Sequence, residues 1–394
     1  MGDPLLLGPI DFGIVVIVLI KTVVTFVLVL ISVLFMVWFE RKVISDMQNR
    51  IGPAEAGPWG ILQSLADGTK LFFKESFLPE RADRRVYRLA PYLSMVPAFL
   101  SFSIVPLGGS FSLFHHRTEL QLADPPIGIL FLLAMSSVAV YGVMLAGWAS
   151  GSKYPLLGSV RASAQMISYE AAMGLSVAAV VLMTGSLSTR TIVDDQAGAI
   201  WHWNIIRLGI VPFIIFLIAC TAELNRPPFD LVEAEQELVG GFNTEYASIG
   251  FALFYLAEFM NTVTMSAIVV TLFLGGPSGP HWGILPSWLW PILFFVGKTF
   301  IFLFTYVWLR ATLPRFRYDQ LMDLGWKRLI PASLAWLLIL AAMILDRVDG
   351  LIVAAIAVAF GLLLVRALQM GQHEAAAEAG ASAPVRPRTT ETGR

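Results

Sequence analysis

Apolar residues fall in long blocks along this chain, broken by short charged or turn-forming stretches. A helix crosses a hydrocarbon core of about 30 Å with about 20 residues, because each residue adds about 1.5 Å. Blocks of that kind cover residues 12–39, 89–113, 127–149, 162–187, 205–222, 247–274, 288–309 and 329–345, with a shorter ninth at 351–365. The pattern predicts an all-α fold, a polytopic transmembrane helix bundle. Three parts are expected: a transmembrane domain over 1–346, an additional C-terminal transmembrane helix over 347–371, and a disordered Ala/Glu/Pro/Thr/Arg-rich tail over 372–394. The first span does not read as a cleavable leader, because Asp3 and Asp11 precede it and the basic Arg41 and Lys42 follow it.

The stretch 40–88 is too long for a simple connection. Within it Ile61, Leu62, Leu65, Ala66, Phe72 and Phe73 share one helical face, and Asp67, Lys70 and Lys74 share another. An amphipathic helix follows, lying either at the membrane interface or beneath a partner protein, and periodicity does not choose between the two. Pro53, Pro58 and Pro79, with Gly52, Gly57 and Gly60, bracket it with turns.

Composition sharpens this picture. Of 394 residues, 57% are hydrophobic and only 14% charged, and the mean hydropathy is +0.72. That excludes a disordered chain, a coiled coil and an ordinary water-soluble enzyme. The single cysteine, Cys220, excludes an internal disulfide framework and any cysteine-based zinc or iron–sulfur site. A net charge of −1 gives no electrostatic affinity for nucleic acid. Seventeen basic residues flank the spans on one side and four on the other, which puts the N-terminus outside and the odd-numbered loops in the cytoplasm. If 351–365 also crosses, the C-terminus returns to the cytoplasm with Arg366, Arg386, Arg388 and Arg394.

The acidic segment 222–246 breaks the basic rule of that side. It holds Glu223, Asp230, Glu233, Glu235, Glu237 and Glu245 against one base, Arg226. Crowded, partly buried carboxylates hold protons more tightly, and a carboxyl poised near neutrality can pass a proton on. The plain alternative is a solvated acidic loop. Against it stand the interleaved Leu231, Val232, Leu238 and Val239 and the stiff Pro227-Pro228-Phe229 lead-in. Glu170 and Glu258 lie inside spans four and six, where an ionisable residue marks a polar interior and commonly an ion path. Lys298 in span seven is their natural opposite charge, whereas Lys21 can snorkel to the surface. No two histidines have metal-ligand spacing, and no glycine-rich nucleotide loop occurs. No metal site is expected. The residues themselves support two classes: a proton-coupled secondary transporter, or a membrane component of an energy-converting oxidoreductase.

Several strings resemble a known family. Glu40-Arg41-Lys42 with Met47-Gln48-Asn49-Arg50-Ile51-Gly52-Pro53, ILQSLADGTKLFFKE over 61–75, GWASGSKYPLLGSVRASAQMISYE over 147–170, AELNRPPFDLVEAEQELVGGFNTEY over 222–246 and LPRFRYDQLMDLGWKRLIP over 313–331 carry the likeness, in that order. Together they are similar to the family of the H-type membrane subunit of respiratory complex I, the proton-pumping NADH:quinone oxidoreductase. The resemblance covers about 12–346 and implies eight family spans, to which 351–365 adds a ninth.

It further implies a multi-pass protein of the bacterial cell membrane that forms much of a quinone tunnel. Such a chain carries no redox cofactor of its own. Quinone is the substrate, and FMN, NADH and iron–sulfur clusters belong to partner subunits. Hydrophilic quinone-site subunits, neighbouring membrane-arm subunits and membrane lipids are the implied partners. By the resemblance, the proton-relay groups fall on Glu170, Glu223, Asp230, Glu233, Glu235 and Glu237, with Glu258 and Lys298 as further candidates. Quinone-site candidates are Arg41, Arg50, Trp59, Asp67, Arg226, Phe229 and Arg310. Ser64 stands where the family pattern has proline. The membrane component of a related hydrogenase-type complex is the nearest alternative, and the complete QNRIGP and RYDQLM strings favour quinone over it.

Overall fold

The computed structural model describes residues 11–113, 116–231, 238–280, 286 and 288–344. The chain divides into two compact units, Met1–Ser333 and Leu334–Arg394. In the second, residues 334–344 are described, and they are helical. The ninth span and the tail lie outside the described residues.

Among the described residues six helical runs are long and apolar enough to cross a membrane. They are α1 (Phe12–Met47), α4 (Gly128–Ala149), α5 (Lys153–Thr184), α9 (Ser248–Phe273), α10 (Leu289–Thr312) and the run Tyr318–Ile344. The last consists of α11 (Tyr318–Asp323), a π-helical turn at Leu324–Leu329 and α12 (Ile330–Ile344). A polytopic helical bundle is therefore present. Helix α1 begins where the Asp11 carboxylate accepts the Phe12 N–H, which satisfies one of the four free donors of a helix start. It continues past the expected end at residue 39 to Met47 and so carries Glu40 and Arg41 on regular helix.

Two expected spans are corrected. The block 89–113 is helical only as α3 (Arg84–Phe102), and its end is strand β1 (Ser110–Leu113), paired antiparallel with β2 (His116–Glu119). Pro106, Gly108 and Gly109 stop the helix that apolarity alone would prolong. Within β1–β2, Ser110 faces Glu119 and Phe111 faces Thr118. The block 205–222 is broken into α7 (Asn204–Arg207) and the fourteen-residue α8 (Ile210–Glu223), because Gly209 takes φ 81°, a left-handed conformation that interrupts the helix. Between α5 and α7 a short helix, α6 (Thr189–Asp195), is capped by the Ser188 hydroxyl.

The expected amphipathic helix exists as α2 (Gln63–Phe73). Ser248 donates to the Leu71 carbonyl at 3.1 Å and ties it to the start of α9. Leu65, Phe72 and Phe73 remain exposed. Helices α3 and α4 approach so closely that a Cβ at Gly142 would lie 2.7 Å from the Ser94 backbone nitrogen. At the other end of the acidic segment, the Tyr87 and Tyr246 rings stack with centroids 4.2 Å apart. Each phenol also donates to backbone: Tyr87 to the Glu245 carbonyl at 2.6 Å, and Tyr246 to the Tyr87 carbonyl at 3.0 Å.

Candidate functional site

The site is built around a buried guanidinium. Arg226 follows the end of α8 and is 4% exposed. An arginine stays charged at any physiological pH, so its burial requires counter-charges. Glu40 supplies one: its carboxylate accepts from Arg226 Nη1 at 3.2 and 3.0 Å. Glu258 on α9 supplies the other, 2.9 Å from Arg226 Nε. The Phe259 ring lies 4.2 Å from the guanidinium carbon, adding a cation–π contact. Arg310, near the end of α10, also donates to Glu40. Two arginines thus meet two carboxylates drawn from four separate parts of the chain.

Next to this cluster on α1, Arg41 pairs with Asp67 of α2 at 2.5 Å, and Gln63 donates to the same carboxylate at 3.1 Å. The Trp38 indole N–H donates to the Trp59 carbonyl at 3.0 Å, while the Trp59 ring is itself 76% exposed. Arg50 is exposed, and its side chain has no partner among the described residues.

A second set of carboxylates lies deeper. Ser136 and Ser137, adjacent on α4, donate to Glu223 and Glu170 respectively. A cavity of about 60 Å³ with mixed walls touches Glu223, Asn225, Asn243, Glu258 and Asn261 beside Val143, Met166 and Phe242, which is room for about two waters. Asp230, 2% exposed, lies 3.3 Å from the Arg315 guanidinium. Phe229 is buried between Phe316 and Tyr169, with centroids 5.5 and 5.6 Å away. The Gln165 amide donates to the Ala222 and Phe229 carbonyls at 2.7 and 2.8 Å and fixes the lead-in to the acidic segment. The Pro227–Pro228 peptide there is cis. Glu233, Glu235 and Glu237 lie outside the described residues.

Lys298 does not meet the expected carboxylates. Its ammonium donates to the carbonyls of Leu274, Gly276 and Ser278 at 2.8, 3.0 and 2.7 Å and lies over the Trp203 ring. The C-terminal end of α9 leaves free carbonyls and a partial negative charge, and a lysine satisfies both. Lys298→Met should therefore lower the thermal inactivation midpoint of the purified protein, since a hydrogen bond to a charged group contributes about 1.5–3 kcal/mol. An unchanged midpoint would refute a capping role. Lys21 is half-buried and donates to the buried Thr118 hydroxyl of β2 at 3.1 Å.

Glu40, Ser136 and Ser137 are not among the candidates that the sequence suggests. Glu40 reads as the flank of a span, before Arg41 and Lys42. The paired serines are visible as the only two hydroxyl residues in the middle of an apolar run, ILFLLAMSSVAV.

The helical bundle thus brings two arginines and two glutamates together, with Arg226 and Glu40 buried and Glu258 and Arg310 half-buried. A family model described as NADH dehydrogenase matches residues 20–341, and the chain belongs to that family. The H subunit of the NADH-quinone oxidoreductase of Streptomyces avermitilis is 52% identical over 335 residues, covering 83% of this chain and 73% of that protein. The H subunit of the Frankia alni NADH-quinone oxidoreductase is 51% identical over 362 residues, covering 89% of this chain and 79% of that protein. The counterpart from Frankia casuarinae is also 51% identical over 362 residues, with the same coverage of 89% and 79%. The family expected from the sequence strings is the family found.

Proposed function

We propose that this chain is the H-type membrane component of a bacterial proton-translocating NADH:quinone oxidoreductase, forming much of the quinone tunnel and the first part of the proton relay. The observation that carries the reading is the charge-balanced cluster of Glu40, Arg226, Glu258 and Arg310, in which Glu40 and Arg226 are buried and Glu258 and Arg310 half-buried. Quinone reduction to quinol takes two electrons and two protons. Electrons come from an iron–sulfur cluster on a hydrophilic partner, since NADH, FMN and the clusters belong to other subunits. Negative charge arriving on a quinone beside this cluster is attracted by Arg226 and Arg310 and repelled by Glu40 and Glu258, which couples the electron to a rearrangement of the ion pairs. In this reading Glu258 communicates with Glu223 through the cavity that both line, and Glu170 of α5 follows through its bond to Ser137, next to Ser136 on α4. Glu233, Glu235, Glu237 and Asp230 continue the same relay in this reading. Arg41, Asp67, Trp59 and Arg50 belong to the quinone entrance, with α2 shielding the isoprenoid tail by its exposed apolar face. Phe229, buried between Phe316 and Tyr169, belongs to the quinone site in the same reading.

Kinetics of the intact complex test this. Asp67→Asn releases Arg41 and should raise the apparent Michaelis constant for quinone severalfold, about the effect of losing one partly exposed charged hydrogen bond. Reduction of a water-soluble acceptor at the flavin end should be unchanged. Equal loss of both activities would place the defect in assembly and remove Asp67 from the entrance. Family membership favours this reading over a stand-alone proton-coupled transporter, which would purify alone. The intact complex should instead bring cluster-bearing subunits with it, and a mass-spectrometric inventory of co-purifying chains decides between the two.

A further inference from the structure

Tyr306 lies on α10 and is 3% exposed, and its hydroxyl makes no hydrogen bond to nitrogen or oxygen among the described residues. That is costly, because a buried phenol ordinarily finds a partner for its O–H. Its polar neighbours are the Cys220 thiol and the Glu223 carboxylate, both on α8. Three positions apart, Cys220 and Glu223 share one face of that helix. The two helices also touch through Phe213 and Phe302, whose ring centroids are 6.1 Å apart. Phe302 precedes Tyr306 by about one turn, so the phenol is turned toward α8. Glu223 has a matching need. Ser136 donates to one of its oxygens, and the other, also buried, accepts no hydrogen bond among the described residues. A thiol is a weak donor and a weak acceptor, so Cys220 satisfies neither the phenol nor the carboxylate. Neither Tyr306 nor Cys220 lines the cavity that Glu223 shares with Glu258, so the phenol is separate from the water-sized space there.

We propose that Tyr306 is a positioning residue for Glu223, its O–H donating to the second carboxylate oxygen when a small swing of the glutamate side chain brings the two together. The glutamate has room for that swing, because it borders the cavity. An ionised carboxylate is the stronger acceptor, so the bond forms with the charged glutamate and loosens once it takes a proton. Ser136 and Tyr306 thus hold the charged side chain at both oxygens, and protonation frees it toward the cavity it shares with Glu258. The inference rests on the relay reading of Glu223.

Infrared difference spectra of the intact complex, reduced minus oxidised, provide the test. The carboxyl band of Glu223 is the one lost in Glu223→Gln. Tyr306→Phe keeps the ring and its packing and removes only the hydroxyl. It should shift that band, and it should lower the turnover number for quinone reduction about fivefold, within the weight of one hydrogen bond. The Michaelis constant for quinone should stay unchanged, because the phenol lies away from the arginine cluster. Cys220→Ala should leave both the band and the turnover at wild-type values, since the thiol only fills space. A band that stays in place in Tyr306→Phe, with wild-type turnover, would overturn the proposal and leave the relay standing. An equal shift in Cys220→Ala would assign the effect to packing and overturn it as well. Loss of no band in Glu223→Gln would instead remove Glu223 from the relay, and the role of Tyr306 with it.

Discussion

Arg226→Gln is expected to reduce quinone reduction by the assembled complex by about a hundredfold or more while leaving NADH oxidation by a water-soluble acceptor intact. The cause is electrostatic. Arg226 is 4% exposed, is bonded to Glu40 and lies 2.9 Å from Glu258. Removing one member of a buried ion cluster leaves the others uncompensated, at a cost of about 3–5 kcal/mol. The glutamates must then take up protons or move apart, and either change removes the balanced pocket a quinone would enter. A loss of about 3 kcal/mol of transition-state stabilisation corresponds to about a hundredfold in rate. Arg226→Lys should fall between the two, because an ammonium keeps the charge but cannot reach Glu40 and Glu258 with separate nitrogens as the guanidinium fork does. Quinone kinetics at wild-type level in Arg226→Gln would take the cluster out of the reaction.

The second large effect is expected deeper in the bundle. Glu223→Gln preserves the shape of the side chain and its contact with Ser136 but cannot bind and release a proton. Proton pumping in liposomes should fall by at least about tenfold, within the range by which positioned acid–base groups act. Quinone reduction should fall with it, since the two are coupled. Glu170→Gln should behave alike, because it occupies the neighbouring serine on α4. Ser136→Ala leaves the carboxyl in place and should only slow pumping. Full pumping in both glutamine variants and in their double variant would rule out this relay.

The helices are legible in the sequence because a spanning segment must satisfy its own backbone and present apolar side chains all round. Helices α1, α4, α5, α9 and α10 follow directly from that rule. The hairpin after Phe102 and the break at Gly209 escape it, because hydropathy does not distinguish a helix from a short apolar strand or register a single left-handed residue. Charges are easier to locate from sequence than to partner. Arg226 reads as the counter-ion of its own acidic segment, yet it meets Glu40, 186 positions earlier, and Glu258. Lys298 reads as a partner for carboxylates and instead binds three backbone carbonyls, acceptors that no sequence pattern displays. Hydropathy shows which charges lie within the membrane. Their pairing depends on which helices cross where.

Helix α1 runs from Lys21 to Glu40 with no glycine or proline between them. It is a lever arm of about 28 Å without a hinge. A bilayer thinner or thicker than its apolar span is accommodated by tilt, and a tilt of about 5° displaces the Glu40 end by about 2 Å over such an arm. That displacement is comparable to the difference between a made and a broken ion pair with Arg226 and Arg310. A change in bilayer thickness that tilts α1 would therefore act on the charge cluster at its far end.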